Sequence, residues 1–305
     1  MGNKEVKEKV LRYAIRGEGN LIIYGQKGLG QKALVREAVH AYTCKGDHSQ
    51  NCDCLACQNT IERNPDVLWI SAKKTALSVE EVSAVEEFTE CGPAISRIKV
   101  IVLEGIENAS EQAENTILKS MEDGIGVRYI CIAYTNKVRP TIASRCTPYT
   151  LSPLSMGEFL SEMESTPWKD SEKRFWYCAS SGCPEAVDRI NAEGKTNLYR
   201  SVYDAYCAKD LKALLDALGL FREKDRNSVY QKNRKEIYGI LSMLQTAAYA
   251  GVTQDIKLKY SIDTLMEQIK ILGKEKEECA KPGYTQGQLL NAMPVSYTHL
   301  TLPTT

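Results

Sequence analysis

The sequence has no long apolar run, no export signal and no surplus of charge of either sign. No stretch of about 18 apolar residues occurs, so we expect no membrane-spanning helix. The residues Met1–Lys7 are mostly polar, which argues against a secretory signal. Lys plus Arg and Asp plus Glu balance at 39 each, so we do not expect the chain to bind DNA mainly through its own field. These absences predict a cytoplasmic protein without a membrane contact.

Composition otherwise indicates an ordinary folded protein with many thiols. The 305 residues are long enough for two or three domains, and 43% of them are hydrophobic. Eleven cysteines without an export signal indicate metal binding or free thiols in a reducing compartment.

The last eleven residues, 295–305, do not fit this pattern. They read VSYTHLTLPTT, follow a proline and show no helical period. They resemble the translation of an adapter used in sequencing libraries, so we expect them to be an artefact that replaces the natural C-terminus.

A glycine-rich turn follows the first predicted strand, Leu21–Tyr24, and precedes a helix. This layout is typical of a P-loop, G-x-x-x-x-G-K-[ST], whose backbone N–H groups surround phosphates. Here the glycines are Gly25, Gly28 and Gly30, but Gln31 replaces the lysine and Lys32 replaces the Ser or Thr. Lys32 lies about 100° further round the helix, so it should not substitute directly. We interpret the turn as a feature that shapes the backbone. The alternative is weak nucleotide binding without hydrolysis.

Four cysteines lie within fourteen residues and end in a C-x-x-C pair: Cys44, Cys52, Cys54 and Cys57. Such a set suits one tetrahedral Zn²⁺, and four protein ligands would make the site structural. Because Cys52 stands very close to Cys54, His48 remains an alternative fourth ligand. Free cysteines in a polar loop are the other interpretation.

The apolar runs 99–103 and 129–134 are typical of buried parallel strands. The first ends at Glu104, which Gly105 follows, and a glycine cannot act as a general base. The second leads to Thr135 and Asn136. Before the first of these runs, a short strand is predicted over Asp66–Ile70, and a capping box at Ser78 then opens a valine-rich stripe that predicts one helix as far as Phe88.

An arginine follows the second of these runs, in the stretch Arg139–Cys146, which reads R-P-T-I-A-S-R-C. After the proline and one helical turn, Ser144 and Arg145 should stand at the carboxyl edge of the sheet, where α/β proteins bind ligands. The alternative is that Arg145 forms a local salt bridge.

Taken together, these motifs resemble the clamp-loader branch of the AAA+ ATPases. The segment 115–122 is similar to that family's N-A-L-L-K-x-L-E-E helix, and Ser144–Cys146 resembles its S-R-C motif. The resemblance implies that Arg145, with Ser144, is an arginine finger for the nucleotide site of the next subunit. It also implies that the cysteine cluster is a zinc module and that Glu104, Thr135 and Asn136 occupy nucleotide-site positions, degenerate in this chain. Gly105 stands where the family has the glutamate that activates water.

The resemblance further implies an α/β fold with three domains. They are an AAA+ P-loop-type parallel-sheet domain with a zinc insertion over residues 1–152, a small helical lid over 153–200, and an all-α collar over 201–294. The lid should begin at a capping box, Ser155–Glu158.

The implied function is that of a non-hydrolysing, delta-prime type of clamp-loader subunit, with structural zinc and no ATP at its own site. Its partners would be the tau/gamma and delta subunits, and through them the sliding clamp and primed DNA. It would act in DNA replication as part of DNA polymerase III, a DNA-directed DNA polymerase. Two alternatives stay open: an active ATPase of the tau/gamma type, and a zinc-containing adaptor unrelated to replication.

Overall fold

The structure is a computed structural model that describes residues 3–49, 51–71, 77–123, 126–217 and 234–279. The chain divides into two compact units, Met1–Ser152 and Pro153–Thr305. The division falls at the predicted end of the sheet domain. The suspected adapter segment, 295–305, lies outside the described residues.

The first unit is a parallel sheet with helices on both faces. Its strands are β1 (Asn20–Tyr24), β2 (Val67–Ser71), β3 (Lys99–Glu104), β4 (Val127–Ala133) and β5 (Cys146–Thr150). The strand order is β2-β3-β4-β1-β5, and every pairing is parallel. Its α-helices are α1 (Asn3–Arg16), α2 (Gln31–Thr43), α3 (Leu55–Gln58), α4 (Val79–Val82), α5 (Ala84–Glu90), α6 (Glu111–Asp123) and α7 (Pro140–Ala143).

The central strand β3 shows why the sheet is covered on both sides. All six of its residues are buried. Ile101 and Leu103 pack with α4, α5 and α6 on one face, and α2 packs on the sheet as well. A strand with no polar alternation can be stable only between two layers, so the parallel-sheet prediction is confirmed.

The predicted single helix from Ser78 to Phe88 is two helices in the structure. The capping box is present, since the Ser78 Oγ accepts from the Glu81 N–H and the Glu81 carboxylate accepts from the Ser78 N–H. The break falls at Ser83, whose Oγ donates to the Glu80 carbonyl at 2.9 Å. A serine hydroxyl that bonds to nearby backbone offers an alternative to the helical ladder, which apolar spacing alone does not reveal.

The second unit is helical throughout the residues described. Its helices are α8 (Met156–Glu162), α9 (Asp170–Ser180), α10 (Pro184–Ala192), α11 (Thr196–Ala208), α12 (Leu211–Ala217), α13 (Arg234–Val252) and α14 (Ile262–Cys279). The capping box at Ser155 is present. One hydrophobic cluster extends from Met156 to Leu272, so the described helices share a core, and the division into lid and collar stays a prediction. No helix among the residues described is long and apolar enough to cross a membrane.

Candidate functional site

The predicted nucleotide-site residues lie where four parallel strands end. The glycine loop follows β1, Ser71 and Glu104 close β2 and β3, and Tyr134 follows β4. In open α/β sheets the carboxyl ends of the strands form the usual ligand crevice. The residues therefore occupy the right place for a nucleotide, and their contacts decide whether one fits.

The glycine loop is closed from within by the side chain of Gln31. All three loop glycines have positive φ: 154° at Gly25, 102° at Gly28 and 83° at Gly30. The Gln31 Nε2 donates to the carbonyls of Gly25 at 2.8 Å and Gln26 at 2.6 Å, and its Oε1 accepts from the Leu29 N–H at 3.2 Å. Gln31 is only 1% exposed. The side chain therefore takes a backbone N–H of the loop that a P-loop would offer to phosphate.

Lys32 points to a carboxylate instead of a phosphate. Its Nζ lies 2.8 Å from the Glu104 Oε1. The same carboxylate accepts from the Ser71 hydroxyl at 2.6 Å and from the Tyr134 hydroxyl at 2.7 Å. Burial alone would raise the pKa of Glu104, but the hydrogen bonds from Lys32, Ser71 and Tyr134 outweigh it and lower the pKa to about 2. Glu104 is thus charged and fully engaged by this chain's own groups.

The remaining nucleotide-site positions supply no base. Gly105 has φ of 76°, a left-handed conformation in which a glutamate would be strained. Thr135 and Asn136 are exposed after β4, and the Thr135 hydroxyl accepts from the Lys137 N–H at 3.3 Å. The residues predicted as a degenerate site are therefore gathered at one edge, without a general base at the Gly105 position.

The Arg145 segment crosses from the carboxyl end of β4 to the amino end of β5, so Arg145 lies at the opposite edge of the sheet from the glycine loop. Cys146 pairs with Asn20, the first residue of β1, and the Asn20 Nδ2 donates to the Arg145 carbonyl at 3.2 Å. The prediction that Arg145 stands at the carboxyl edge is wrong, because the crossover through α7 carries the chain across the sheet before β5 begins.

Arg145 follows the short helix α7 and is exposed. Its Nη2 pairs with the carboxylate of Glu122 on α6, and its Nη1 donates to the Thr141 carbonyl at 2.8 Å. The Ser144 hydroxyl donates to the same carbonyl at 3.1 Å. In the isolated chain Arg145 thus forms a local ion pair, while its side chain remains 37% exposed.

The four predicted cysteines lie together beside the C-terminal end of α2. The Sγ atoms of Cys44, Cys52, Cys54 and Cys57 all lie within 4.8 Å of one another. The Cys44–Cys52 and Cys54–Cys57 sulfur distances are 3.6 Å and 3.3 Å. Zn–S bonds of about 2.3 Å in a tetrahedron place sulfurs about 3.8 Å apart. The cluster therefore fits one zinc ion, and the close spacing of Cys52 and Cys54 is no obstacle.

The surroundings of the cluster are compatible with zinc binding. The Gly46 N–H donates to the Cys44 Sγ at 3.3 Å, and a Cβ on Gly46 would lie 2.5 Å from the Cys52 Sγ. Burial raises the pKa of Cys57, whereas for Cys54 the effect of burial is outweighed by backbone hydrogen bonds from Lys45 and Cys57, which lower its pKa to about 6. A thiolate is the form that binds metal. His48, the alternative ligand, is not part of the group.

Known proteins with similar sequences are subunits of DNA polymerase III. Residues 14–155 match the family model described as "DNA polymerase III, delta subunit". This part of the chain is similar to the clamp-loader subunits of DNA polymerase III. That similarity argues against the alternative of an adaptor unrelated to replication.

Two relatives show both subunit types. The delta' subunit of Pseudomonas aeruginosa is 25% identical over 184 residues, covering 57% of this chain and 56% of that protein. The gamma subunit of Buchnera aphidicola from Acyrthosiphon pisum is 24% identical over 265 residues, covering 84% and 66%. The chain spans between 38% and 66% of the length of the curated relatives it matches.

Solved structures with some likeness include a gamma subunit-related protein of DNA polymerase III from Thermotoga maritima. It has 13% identity and a TM-score of 0.48, covering 95% of this chain and 98% of that one. A RuvB mutant from the same organism has 13% identity and a TM-score of 0.44, covering 96% and 88%.

Several side chains that complete these sites were not singled out from the sequence. Ser71 and Tyr134 donate hydrogen bonds to Glu104, and Glu122 pairs with Arg145. Gln31 was noted only because it replaces the P-loop lysine. Ser71, Tyr134 and Glu122 are far from their partners in sequence, so no local motif marks them. For Gln31, an amide side chain directly after a glycine loop was the sequence signal that could have predicted hydrogen bonds to the loop backbone.

Proposed function

We propose that this chain is a non-hydrolysing, delta-prime-type subunit of a bacterial clamp loader. It would assemble in a ring with tau/gamma and delta subunits, in the cytoplasm. The ring would open the sliding clamp and load it on primed DNA during replication by the DNA polymerase III holoenzyme. The chain itself would turn over no ATP.

The single observation that carries this proposal is the position of the Gln31 side chain. A phosphate could enter the loop only by displacing three internal hydrogen bonds of a buried amide. It would also find Lys32 already paired with Glu104 and no glutamate at position 105. Buried polar groups that lose their partners cost about 1–3 kcal/mol each, so each of these contacts opposes nucleotide binding.

Arg145 would act on a neighbour's nucleotide because its own chain offers none. Its partner Glu122 is 57% exposed, and exposed ion pairs contribute only about 0–1 kcal/mol. A neighbour's triphosphate could therefore displace Glu122 at little cost. A planar guanidinium suits phosphate oxygens, and arginine fingers increase hydrolysis by about 10³ to 10⁵ in well-studied NTPases.

We also propose that Cys44, Cys52, Cys54 and Cys57 hold one structural Zn²⁺. The four thiolates would fill its coordination shell and leave no position for water or substrate. Zinc would then join the end of α2 to α3 and stabilise a segment that contains few buried apolar side chains.

The active tau/gamma-type ATPase remains the second candidate, because gamma subunits are among the relatives. Phosphate release by the purified chain with ATP and Mg²⁺ separates the two. We expect no turnover above background, for the native chain and for Lys32→Ala alike. Turnover by the native chain that disappears in Lys32→Ala would contradict the proposal and favour the ATPase.

A further inference from the structure

A buried carboxylate lies beneath the arginine segment. Glu114 is on α6, and its side chain is only 4% exposed. Its Oε1 accepts a hydrogen bond from the Thr141 hydroxyl, and its Oε2 lies 2.9 Å from the Arg139 Nη1. Buried charges are stable only when paired and hydrogen-bonded, so these two contacts tie the beginning of α7 to α6.

Thr141 connects this anchor to Arg145. The Thr141 hydroxyl binds Glu114, while the Thr141 carbonyl accepts from the Arg145 Nη1 at 2.8 Å and from the Ser144 hydroxyl. One residue therefore joins the buried carboxylate to the exposed guanidinium. Fixing the Thr141 side chain also fixes the direction in which its carbonyl points.

The second contact of Arg145 is of a different kind. Glu122 is exposed, so its ion pair is weak in water. If Arg145 turns towards a ligand, Glu122 can be exchanged, whereas the Thr141 carbonyl belongs to the backbone beside it. The contact of Thr141 with the buried Glu114 is therefore the part of the network that can hold Arg145 in one place.

We propose that Glu114 and Thr141 are positioning residues for Arg145. Glu114 holds the Thr141 hydroxyl, and the Thr141 carbonyl then holds the guanidinium at the edge of the sheet. The inference rests on the proposed role of Arg145 in trans. Reactivity of Arg145 in the isolated chain can be tested without that role.

The test compares Thr141→Val, which keeps the shape but removes the hydroxyl, with Thr141→Ser, which keeps the hydroxyl. Thr116→Val is the matched control, since Thr116 is half-buried on α6 and its hydroxyl donates to the Gln112 carbonyl of the same helix. Glu114→Gln is the second variant if Thr141→Val does not fold. Circular dichroism and thermal melting check that each variant is folded.

Two measurements are made on the full chain. The first is the rate at which phenylglyoxal modifies Arg145, followed by mass spectrometry with exposed Arg12 as internal reference. The second is the clamp-dependent ATPase of the loader assembled with each variant. For Thr141→Val we expect modification to rise and kcat to fall, each about 3- to 10-fold, the equivalent of one hydrogen bond. The KM for ATP should stay unchanged, because an arginine finger acts in the transition state.

Thr141→Ser should behave as the native chain, and so should Thr116→Val. Native modification rate and native kcat in Thr141→Val, alongside a loss in Arg145→Ala, would overturn the positioning role and leave the finger standing. If Arg145→Ala itself keeps the native kcat, the proposed function fails. The modification rates then decide alone: a rise in Thr141→Val supports positioning, and no rise overturns it.

Discussion

The loop after β1 and the segment between β4 and β5 satisfy their polar groups in opposite ways, and Arg145 lies at the opposite edge of the sheet from the loop. In the loop, Gln31 is buried and its side chain bonds to the backbone of Gly25, Gln26 and Leu29. In the segment, Arg145 keeps more than a third of its side chain exposed and pairs with an exposed carboxylate. The loop is complete without a ligand, whereas the segment presents a charge to solvent.

This difference indicates which of the two regions retains chemistry. The Gln31 amide occupies the Leu29 N–H and two loop carbonyls, so that N–H is not available to a phosphate. A guanidinium held by one backbone carbonyl and one weak ion pair can reach a new partner with little loss. The segment before β5 therefore presents a charged group in a chemically usable form, and the glycine loop presents none at Gln31.

The cysteine cluster is an intermediate case. Its four sulfurs are already close together, but four thiolates repel one another unless a cation lies between them. A bound ion would satisfy the thiolates of the cluster. By contrast, the loop is satisfied by its own Gln31, and Arg145 would be satisfied by a neighbouring subunit. Four experiments test this comparison, and they are given in order of decreasing expected effect.

Removing zinc should have the largest effect, because structural zinc sites contribute about 10 kcal/mol or more of apparent binding free energy. We expect one zinc per chain by elemental analysis, and loss of it in Cys57→Ser. Hydrogen exchange should then rise around α3 and stay unchanged in the glycine loop. Cys91→Ser, at an exposed cysteine, is the control. A native chain without zinc would show that the cluster is not a metal site.

Arg145→Ala should come second. In the assembled loader, we expect hydrolysis at the neighbouring site to fall by about 10³-fold, measured as single-turnover phosphate release with clamp and primed DNA. The free energy of unfolding of the isolated chain should change by less than about 1 kcal/mol. Arg12→Ala, at another exposed ion pair, should change neither. If the loader that contains Arg145→Ala hydrolyses ATP at the native rate, Arg145 does not act on the neighbouring subunit's nucleotide.

Lowering the pH should weaken the Glu104 network. In the folded chain the pKa of Glu104 lies near 2, below its ordinary 4.5. Its contribution to the free energy of unfolding is therefore present above pH 4.5 and is lost as the pH falls towards 2. This decrease in the free energy of unfolding should be at most about 3 kcal/mol. Urea unfolding at several pH values measures it, with Glu104→Gln as comparison. An equally steep acid loss in Glu104→Gln would show that other carboxyl groups are responsible.

Gln31→Ala should have the smallest effect of the four changes. It leaves a buried N–H and two carbonyls without their partner, so we expect the free energy of unfolding to fall by about 1–3 kcal/mol. Gln26→Ala, in the exposed part of the same loop, should be neutral. The ATPase of the assembled loader should not change. A gain of ATP binding in Gln31→Ala would show that the amide alone had kept nucleotide out, and native stability would show that its bonds contribute nothing.

Prediction from sequence succeeded where a pattern is local. The run Lys99–Leu103 could only be a strand buried on both faces, and Ser78 and Ser155 each open a helix with the capping box that their spacing predicts. It did not locate the interruption at Ser83, where the Ser83 Oγ donates to the Glu80 carbonyl within a stretch whose apolar spacing is continuous. Local spacing shows which residues face the core, but it does not show every competing hydrogen bond.

By itself, the sequence determined that the P-loop lysine, the metal-binding hydroxyl and the catalytic glutamate are absent, and that four cysteines lie within one short segment. Only the tertiary structure decided what replaces them. Gln31 folds back into its own loop, and Lys32 meets Glu104 across 72 positions of sequence. Glu114 reaches Thr141 because α6 packs beside α7. The physical reason is that an absence is a property of residue identity, whereas a hydrogen bond between distant residues depends on how the strands and helices pack.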